Sequence, residues 1–411
     1  MTFENGWTVK PFHLGRLRAR FVFLALAILL YAIAGSPTPD NPGVMEMSIG
    51  LCLMMAVGWR GIVQALNVSR PETTTQKLYH FFFLYGLIVP TLVAFFTGNE
   101  TGWMMRDVLS FLFLGLPVFF NGALGDDKPY TKWLSALLLC AGLAFSIRTL
   151  VPVLNIWVPQ GELIYLSNSP LVVMAAVFFI LWAWEGLADF TVPSFVWLFL
   201  KLLCVFVLVS AMLLDVQRAT IGAVFLSVLF VALMDFYKKP KAASVTIGLF
   251  SILLVLLWPA LENVFSVMVH KTADVGMNAR FAEISAVYAK LCAGGGLGYL
   301  FGYGWGATFS SPAVAGLEVN FTHSWLTTML LKGGIVFFGL CSCVFIRLVY
   351  EILLIFQRDR SWGLALGAAF VIPSLLYASH KSLDFGLILL MIMVWSDKVR
   401  AWTTGPYSFR K

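Results

Sequence analysis

Continuous apolar runs of close to twenty residues recur along this sequence, and no other feature constrains its fold so strongly. A helix needs about 20 apolar residues to cross roughly 30 Å of hydrocarbon. Within lipid, only helices and closed barrels satisfy every backbone polar group. Barrel strands would read as segments of about ten residues with alternating polarity, and these runs do not alternate. With 60% hydrophobic residues, 12% charged residues and a mean hydropathy of +0.86, neither a chain soluble on all sides nor a disordered one fits. Six cysteines among 411 residues do not make a disulfide-stapled scaffold. The sequence predicts an all-α polytopic integral membrane protein, with residues 1–411 forming a single transmembrane domain.

Bounded by charges, Pro, Gly or Asn, the runs give twelve spans: 21–35, 44–58, 78–97, 103–121, 132–151, 170–188, 192–215, 218–236, 243–262, 324–346, 361–379 and 383–396. Basic loops stay in the cytoplasm. With the N-terminus inside, only Arg106, Arg148, Arg218, Lys271, Arg280, Lys290 and Lys381 fall outside, and Lys201 and Lys332 lie within helices. Both termini are therefore expected in the cytoplasm. The basic stretch from Lys10 to Arg20 and the run ending Ala32-Ile33-Ala34 imitate a signal peptide, but are read as an uncleaved anchor. The net charge of +7 follows from the inside bias and from anionic lipid headgroups, so no nucleic-acid partner is expected.

One long segment, 263–322, separates the ninth span from the tenth and falls outside. Long loops in compact proteins are commonly functional. Within it, Phe281, Ile284, Tyr288 and Leu291 recur at helical spacing, predicting an amphipathic helix that starts at Asn278 and lies on the membrane or against the bundle. Two glycine clusters follow, Gly294-Gly295-Gly296-Leu297-Gly298 and Gly302-Tyr303-Gly304-Trp305-Gly306. Neither has the strand-before, helix-after setting of a phosphate loop. They read either as a tight exposed turn or as backbone able to approach a substrate or the bundle closely.

The outward polar residues carry the chemistry. Arg218 opens the eighth span, where an arginine must snorkel, pair or face a wet cavity. His323 heads the tenth span. It is either an interfacial residue or a base, since the positive end of a helix favours a neutral imidazole able to accept a proton. His380 and Lys381 share a short outer turn with Asp384 and form a secondary candidate. No metal-ligand spacing and no paired carboxylates appear on the outer side. Arginines, a histidine and glycine-rich backbone suit an anionic, phosphate-bearing substrate.

These motifs resemble the bacterial O-antigen ligase family: Gln217-Arg218-Ala219-Thr220 opening a span, Asn278-Ala279-Arg280 leading through a loop helix to Phe301-Gly302-Tyr303-Gly304-Trp305-Gly306, then Thr322-His323-Ser324-Trp325-Leu326 with Gly333-Gly334 behind. The match covers about residues 215 to 340. It departs from the family pattern in its glycine spacing after His323, and in Lys332, which stands where an acidic or neutral residue is commoner.

The resemblance implies a GT-C-like glycosyltransferase of about twelve helices in the bacterial inner membrane, with its site on the periplasmic loop. Its donor would be O-antigen on undecaprenyl pyrophosphate and its acceptor a sugar hydroxyl of lipid A-core. By motif, Arg218 and Arg280 would hold the pyrophosphate and His323 would be the general base, with Gly304, Trp305, His380 and Lys381 as further substrate-binding candidates. Attack would invert the anomeric carbon, with no metal or other cofactor. An O-antigen polymerase using the same donor is the alternative reading. A twelve-helix transporter comes next, although the link between spans six and seven is far shorter than that of a two-halved transporter.

Overall fold

The structure is a computed structural model that describes residues 11–36, 43–67, 73–120, 128–155, 164–188, 192–215, 217–238, 278–314 and 316–404, with scattered positions between 240 and 266. Most of the ninth predicted span, together with His270 and Lys271, lies outside the described residues. The helices run α1 (Pro11–Ala34), α2 (Val44–Leu66), α3 (Thr74–Thr97), α4 (Thr101–Leu114), α5 (Leu116–Phe119), α6 (Lys128–Leu150), α7 (Ile164–Ser167), α8 (Pro170–Ala188), α9 (Val192–Leu214) and α10 (Arg218–Lys238). They continue as α11 (Asn278–Ala293), α12 (Gly295–Phe301), α13 (Trp325–Arg358), α14 (Arg360–Leu376) and α15 (Leu383–Thr404). A small antiparallel hairpin, β1 (Phe309–Ser311) with β2 (Leu317–Val319), interrupts them and pairs Phe309 with Val319.

Among the described residues, six helices are long and apolar enough to cross a membrane: Val44–Leu66, Thr74–Thr97, Tyr130–Leu150, Val196–Leu214, Arg218–Tyr237 and Trp325–Arg358. Three shorter apolar helices, Ala19–Ala34, Pro170–Glu185 and Arg360–Leu376, accompany them. Local chemistry sets the ends. At the start of α3, Thr73 and Gln76 each accept a hydrogen bond from the other's backbone N–H, a capping box, and α3 stops at Gly98 in the left-handed region. Asp359 caps α14 through the Trp362 N–H at 3.0 Å.

Helix α2 leaves helical geometry at Gly58 (φ 58, ψ 173), and two further long helices, α3 and α13, are broken and repaired by one loop segment. In α3, Pro90 has no N–H to give the carbonyl of Gly86 four residues back. The indole Nε1–H of Trp305 donates to that carbonyl at 2.9 Å, and the Trp305 backbone N–H donates to the Pro90 carbonyl at 3.2 Å. In α13, Gly334 leaves helical geometry (φ 66, ψ -164). The carbonyls of Leu331 and Lys332 just before it accept the Tyr303 and Gly304 N–H groups at 3.1 and 2.9 Å. This docking needs glycine on both sides: a Cβ on Gly302 would stand 2.5 Å from the Gly334 nitrogen, and one on Gly334 2.6 Å from the Gly302 nitrogen. Gly294 to Leu297 of the first glycine cluster are exposed, whereas the second cluster is neither an exposed turn nor a phosphate cradle. It is backbone threaded between α3, α4 and α13.

A buried ion pair closes the same joint. Lys332 Nζ, fully buried, lies 2.5 Å from Asp107 Oδ2 of α4 and donates to the Ala307 carbonyl at 2.7 Å. Asp107 also accepts from the Gly306 N–H and from Asn320 Nδ2, both at 2.8 Å. Around it Trp305 packs on Phe111 with ring centroids 5.0 Å apart, and Phe82 stacks on Phe337 at 5.2 Å. At the far end of these helices Glu351 ties α3, α13 and α15 together, accepting from Thr75, Arg400 and Ser396 Oγ, the last at 2.5 Å.

Removing one member of a buried pair strands the other, which costs about 3–5 kcal/mol. Asp107→Ala is expected to destabilise the detergent-solubilised protein on that scale, measured by thermal unfolding. Asp107→Asn, whose single amide oxygen can still accept from Asn320 or from Gly306 but not from both, is expected to lose less. Equal Tm values for Asp107→Ala and the parent protein would contradict this account.

Candidate functional site

α11 presents two apolar faces, and only one meets the bundle. Phe281, Ile284 and Tyr288 are exposed, whereas Leu291, which sequence spacing grouped with them, is fully buried beside Val287. The inward face is Glu283, Val287 and Leu291, four residues apart, so one turn follows another along one side. Val287 and Leu291 pack with Phe309 of β1 and with Leu330 and Leu331 of α13. That packing delivers Glu283 to the start of α13.

Glu283 is 3% exposed and all its described partners are donors or a histidine. Its Oε2 accepts the His323 backbone N–H at 3.0 Å, and its two oxygens lie 3.2 and 3.3 Å from His323 Nδ1. Ser311 Oγ, at the end of β1, donates to Oε1 at 3.0 Å. Burial alone would raise the Glu283 pKa, but the hydrogen bonds and charge of His323, with the Ser311 hydroxyl, hold it below the ordinary carboxylate value. An ionised carboxylate only accepts, so neutral His323 keeps its proton on Nδ1. Nε2, which makes no hydrogen bond among the described residues, then carries the lone pair. The turn presenting His323 is held by Thr322 and Thr328, whose hydroxyls lie 3.0 Å apart, and by the Ser324 hydroxyl on the Ser374 carbonyl at 3.4 Å.

Arg280 stands one turn before Glu283 and donates through Nη1 to the Leu376 carbonyl at the end of α14. A helix C-terminus is the negative end of its macrodipole and favours a cation there. Burial lowers the Arg280 pKa, opposed by Glu283 and Tyr377 and reinforced by nearby Arg218. The guanidinium nonetheless stays charged. Arg218, exposed at the first position of α10, acts electrostatically on both Arg280 and Tyr377. The Tyr377 hydroxyl reaches the backbone of Ala219 next to Arg218, joining the end of α14 to the start of α10.

Immediately after Tyr377, the turn Ala378–Lys381 brings His380 and Lys381 to the same end of the molecule. His380 is 3% exposed, and burial with the neighbouring Lys381 charge pushes its pKa down to about 3. The Lys381 ammonium sits 3.6 Å from the centroid of Phe321, two residues before His323.

The structure thus brings Arg218, Arg280, His323, His380 and Lys381 to one region. Gly304 and Trp305 are placed differently: Trp305 is 2% exposed with both N–H groups committed to α3 carbonyls, so neither residue offers a polar group to a substrate. Sequence reading missed Glu283, Ser311, Tyr377 and Asp107. The signal for Glu283 was available in its four-residue spacing from Val287 and Leu291, which marks a carboxylate on a packing face. Among the described residues no three His, Cys, Asp or Glu side chains gather as a metal site. No protein-family model matches the chain, and a search of curated proteins finds no match.

The Glu283 contact makes a spectroscopic prediction. In protein labelled with ¹⁵N-histidine, the resonance lost in His323→Gln is expected, in the neutral form, to show a protonated Nδ1 and a bare Nε2. An Nε2–H tautomer would contradict the arrangement.

Proposed function

We propose that this chain is a glycosyltransferase acting on a lipid-linked sugar, an O-antigen ligase in the bacterial inner membrane. In this reading twelve spans place both termini in the cytoplasm and the α10–α13 connection in the periplasm. O-antigen polysaccharide moves from undecaprenyl pyrophosphate to a sugar hydroxyl of lipid A-core. The observation that carries the proposal is the convergence of Arg218 and Arg280 with a histidine whose Nδ1 is held by a buried glutamate. The motif resemblance names the reaction; the nearness of two phosphate-matching cations to a glutamate-held imidazole supports it.

The chemistry follows from those groups. The acceptor hydroxyl gives its proton to His323 Nε2 as its oxygen attacks the anomeric carbon. The bond from that carbon to the pyrophosphate oxygen breaks, and the electron pair leaves with the pyrophosphate. Arg218 and Arg280 neutralise the growing negative charge on the leaving group, where planar guanidinium groups can each engage two oxygens. Attack from the face opposite the leaving group inverts the anomeric configuration. Glu283 stabilises the imidazolium that forms, as the carboxylate does in a serine-protease triad.

Disruption of the gene in the source bacterium, followed by a lipopolysaccharide gel and an immunoblot for lipid-linked O-antigen, tests the assignment. Core without O-antigen, with polymer accumulating on the lipid carrier, is the expected result. Core capped by one repeat unit would reassign the chain as a polymerase, and an unchanged ladder would remove the transferase reading.

Within the ligase, His323→Ala is expected to lower turnover by about 10²–10⁴-fold, the usual scale for a general base. Arg218→Ala and Arg280→Ala are expected to abolish transfer without loss of membrane insertion, and Arg218→Lys to restore it only partly. Glu283→Gln is expected to lower turnover with little change in KM, because the amide no longer stabilises the imidazolium as it forms. Full activity in His323→Ala would refute the base assignment.

A further inference from the structure

The charges at the site end do not balance around Lys381. The carboxylate that acts on it electrostatically, Asp107, is already engaged by Lys332 at 2.5 Å, by the Gly306 N–H and by Asn320. Among the described residues the Lys381 ammonium makes no hydrogen bond or ion pair, and rests only on the face of Phe321. Next to it, His380 is buried with neither ring nitrogen in a hydrogen bond of good geometry. A half-buried ammonium without an ion-pair partner beside a buried imidazole whose one polar contact is the Tyr377 backbone leaves polar capacity unused. Burial, with Arg106 and Lys332 close by and Asp107 opposing them, drives the Lys381 pKa down to about 7. An arriving anion would restore the full charge.

Position says which anion. Lys381 contacts the ring of Phe321, and that ring lies 6.2 Å from the ring of His323. A group bound at Lys381 would therefore lie alongside the base, on the turn that follows α14. The arginines approach the same region from the starts of α10 and α11. The arginine pair suits a pyrophosphate, whereas a single ammonium is a point charge that suits one phosphate.

We infer that Lys381, with His380 behind it and the Phe321 ring as its support, is a phosphate site separate from the arginine pair, and that it orients a phosphate-bearing sugar substrate beside His323. The substrate part of this assignment rests on the transferase reading; phosphate binding itself does not. The phosphate has two possible sources, the acceptor glycolipid or the donor, and the kinetic arm below separates them.

The binding arm uses full-length protein in nanodiscs, titrated calorimetrically with inorganic phosphate. Arg218→Gln/Arg280→Gln protein is expected to retain a phosphate site, and adding Lys381→Gln to weaken it by roughly tenfold or more, the scale of a charge-assisted hydrogen bond. Lys381→Arg in the same background, which keeps the charge, is expected to bind phosphate, and size-exclusion profiles exclude misfolding. Loss of all phosphate binding in the double arginine variant, or unchanged affinity after Lys381→Gln, would overturn the site.

In the kinetic arm, Lys381→Gln is expected to raise KM about tenfold for a phosphorylated acceptor and not for the same acceptor after phosphatase treatment. A rise confined to the donor KM would place the phosphate on the donor. Unchanged KM values for both would overturn the substrate role. Failure of the transferase reading shows separately, as absence of transfer by the parent protein.

Discussion

Backbone polar groups shielded from water must find partners, and the architecture turns on how two of its broken helices, α3 and α13, find theirs. Pro90 orphans the Gly86 carbonyl, and Gly334 turns the Leu331 and Lys332 carbonyls out of their ladder. Residues 303 to 305 of the α12–β1 connection fill all three positions with N–H groups. Kinks at Pro and Gly are normally tolerated because neighbours re-satisfy the freed groups. Here the neighbour is the segment that leads into the hairpin and on to His323. The breaks in the bundle are thus the anchors of the site.

From those anchors a chain of contacts reaches the histidine. The segment continues into β1, whose last residue, Ser311, hydrogen-bonds Glu283, and Glu283 holds both the backbone and the ring of His323. Carboxylates are few in this region. Asp107 is spent on Lys332 and on holding the loop, and Glu283 on the histidine. Arg280 is instead steadied by a helix carbonyl, a partial charge weak enough to leave the guanidinium available to a stronger anion.

Much of this could be read beforehand, and the unread parts share one physical cause. Hydropathy places helices well because burial in lipid acts on whole segments: the predicted spans 170–188 and 192–215 meet α8 and α9 nearly end to end. Arg218, Arg280 and His323 stood out because charges beside apolar runs are rare. Glu283 and Asp107 did not, because their meaning lies in partners 40 and more than 200 residues away. Periodicity also misassigned Leu291: α11 has apolar residues on both sides, so spacing alone cannot say which side meets the bundle. Lys332, which looked out of place within an apolar helix, is accounted for by Asp107 and the Ala307 carbonyl.

The repair of α3 has a consequence for how the chain is made. Trp305 and Gly86 are 219 residues apart, and Gly306 and Asp107 are 199 apart. Ribosomes release the early helices long before the segment that completes them. Until it arrives, an orphaned carbonyl and a lone carboxylate stand among apolar helices, held by whatever water or insertion machinery can shelter them. Arg280, Glu283 and the docking segment leave the ribosome close together, and His323 follows within a few dozen residues. Closure of α3 is therefore a late event, completed by a segment made about two hundred residues after the helix it repairs.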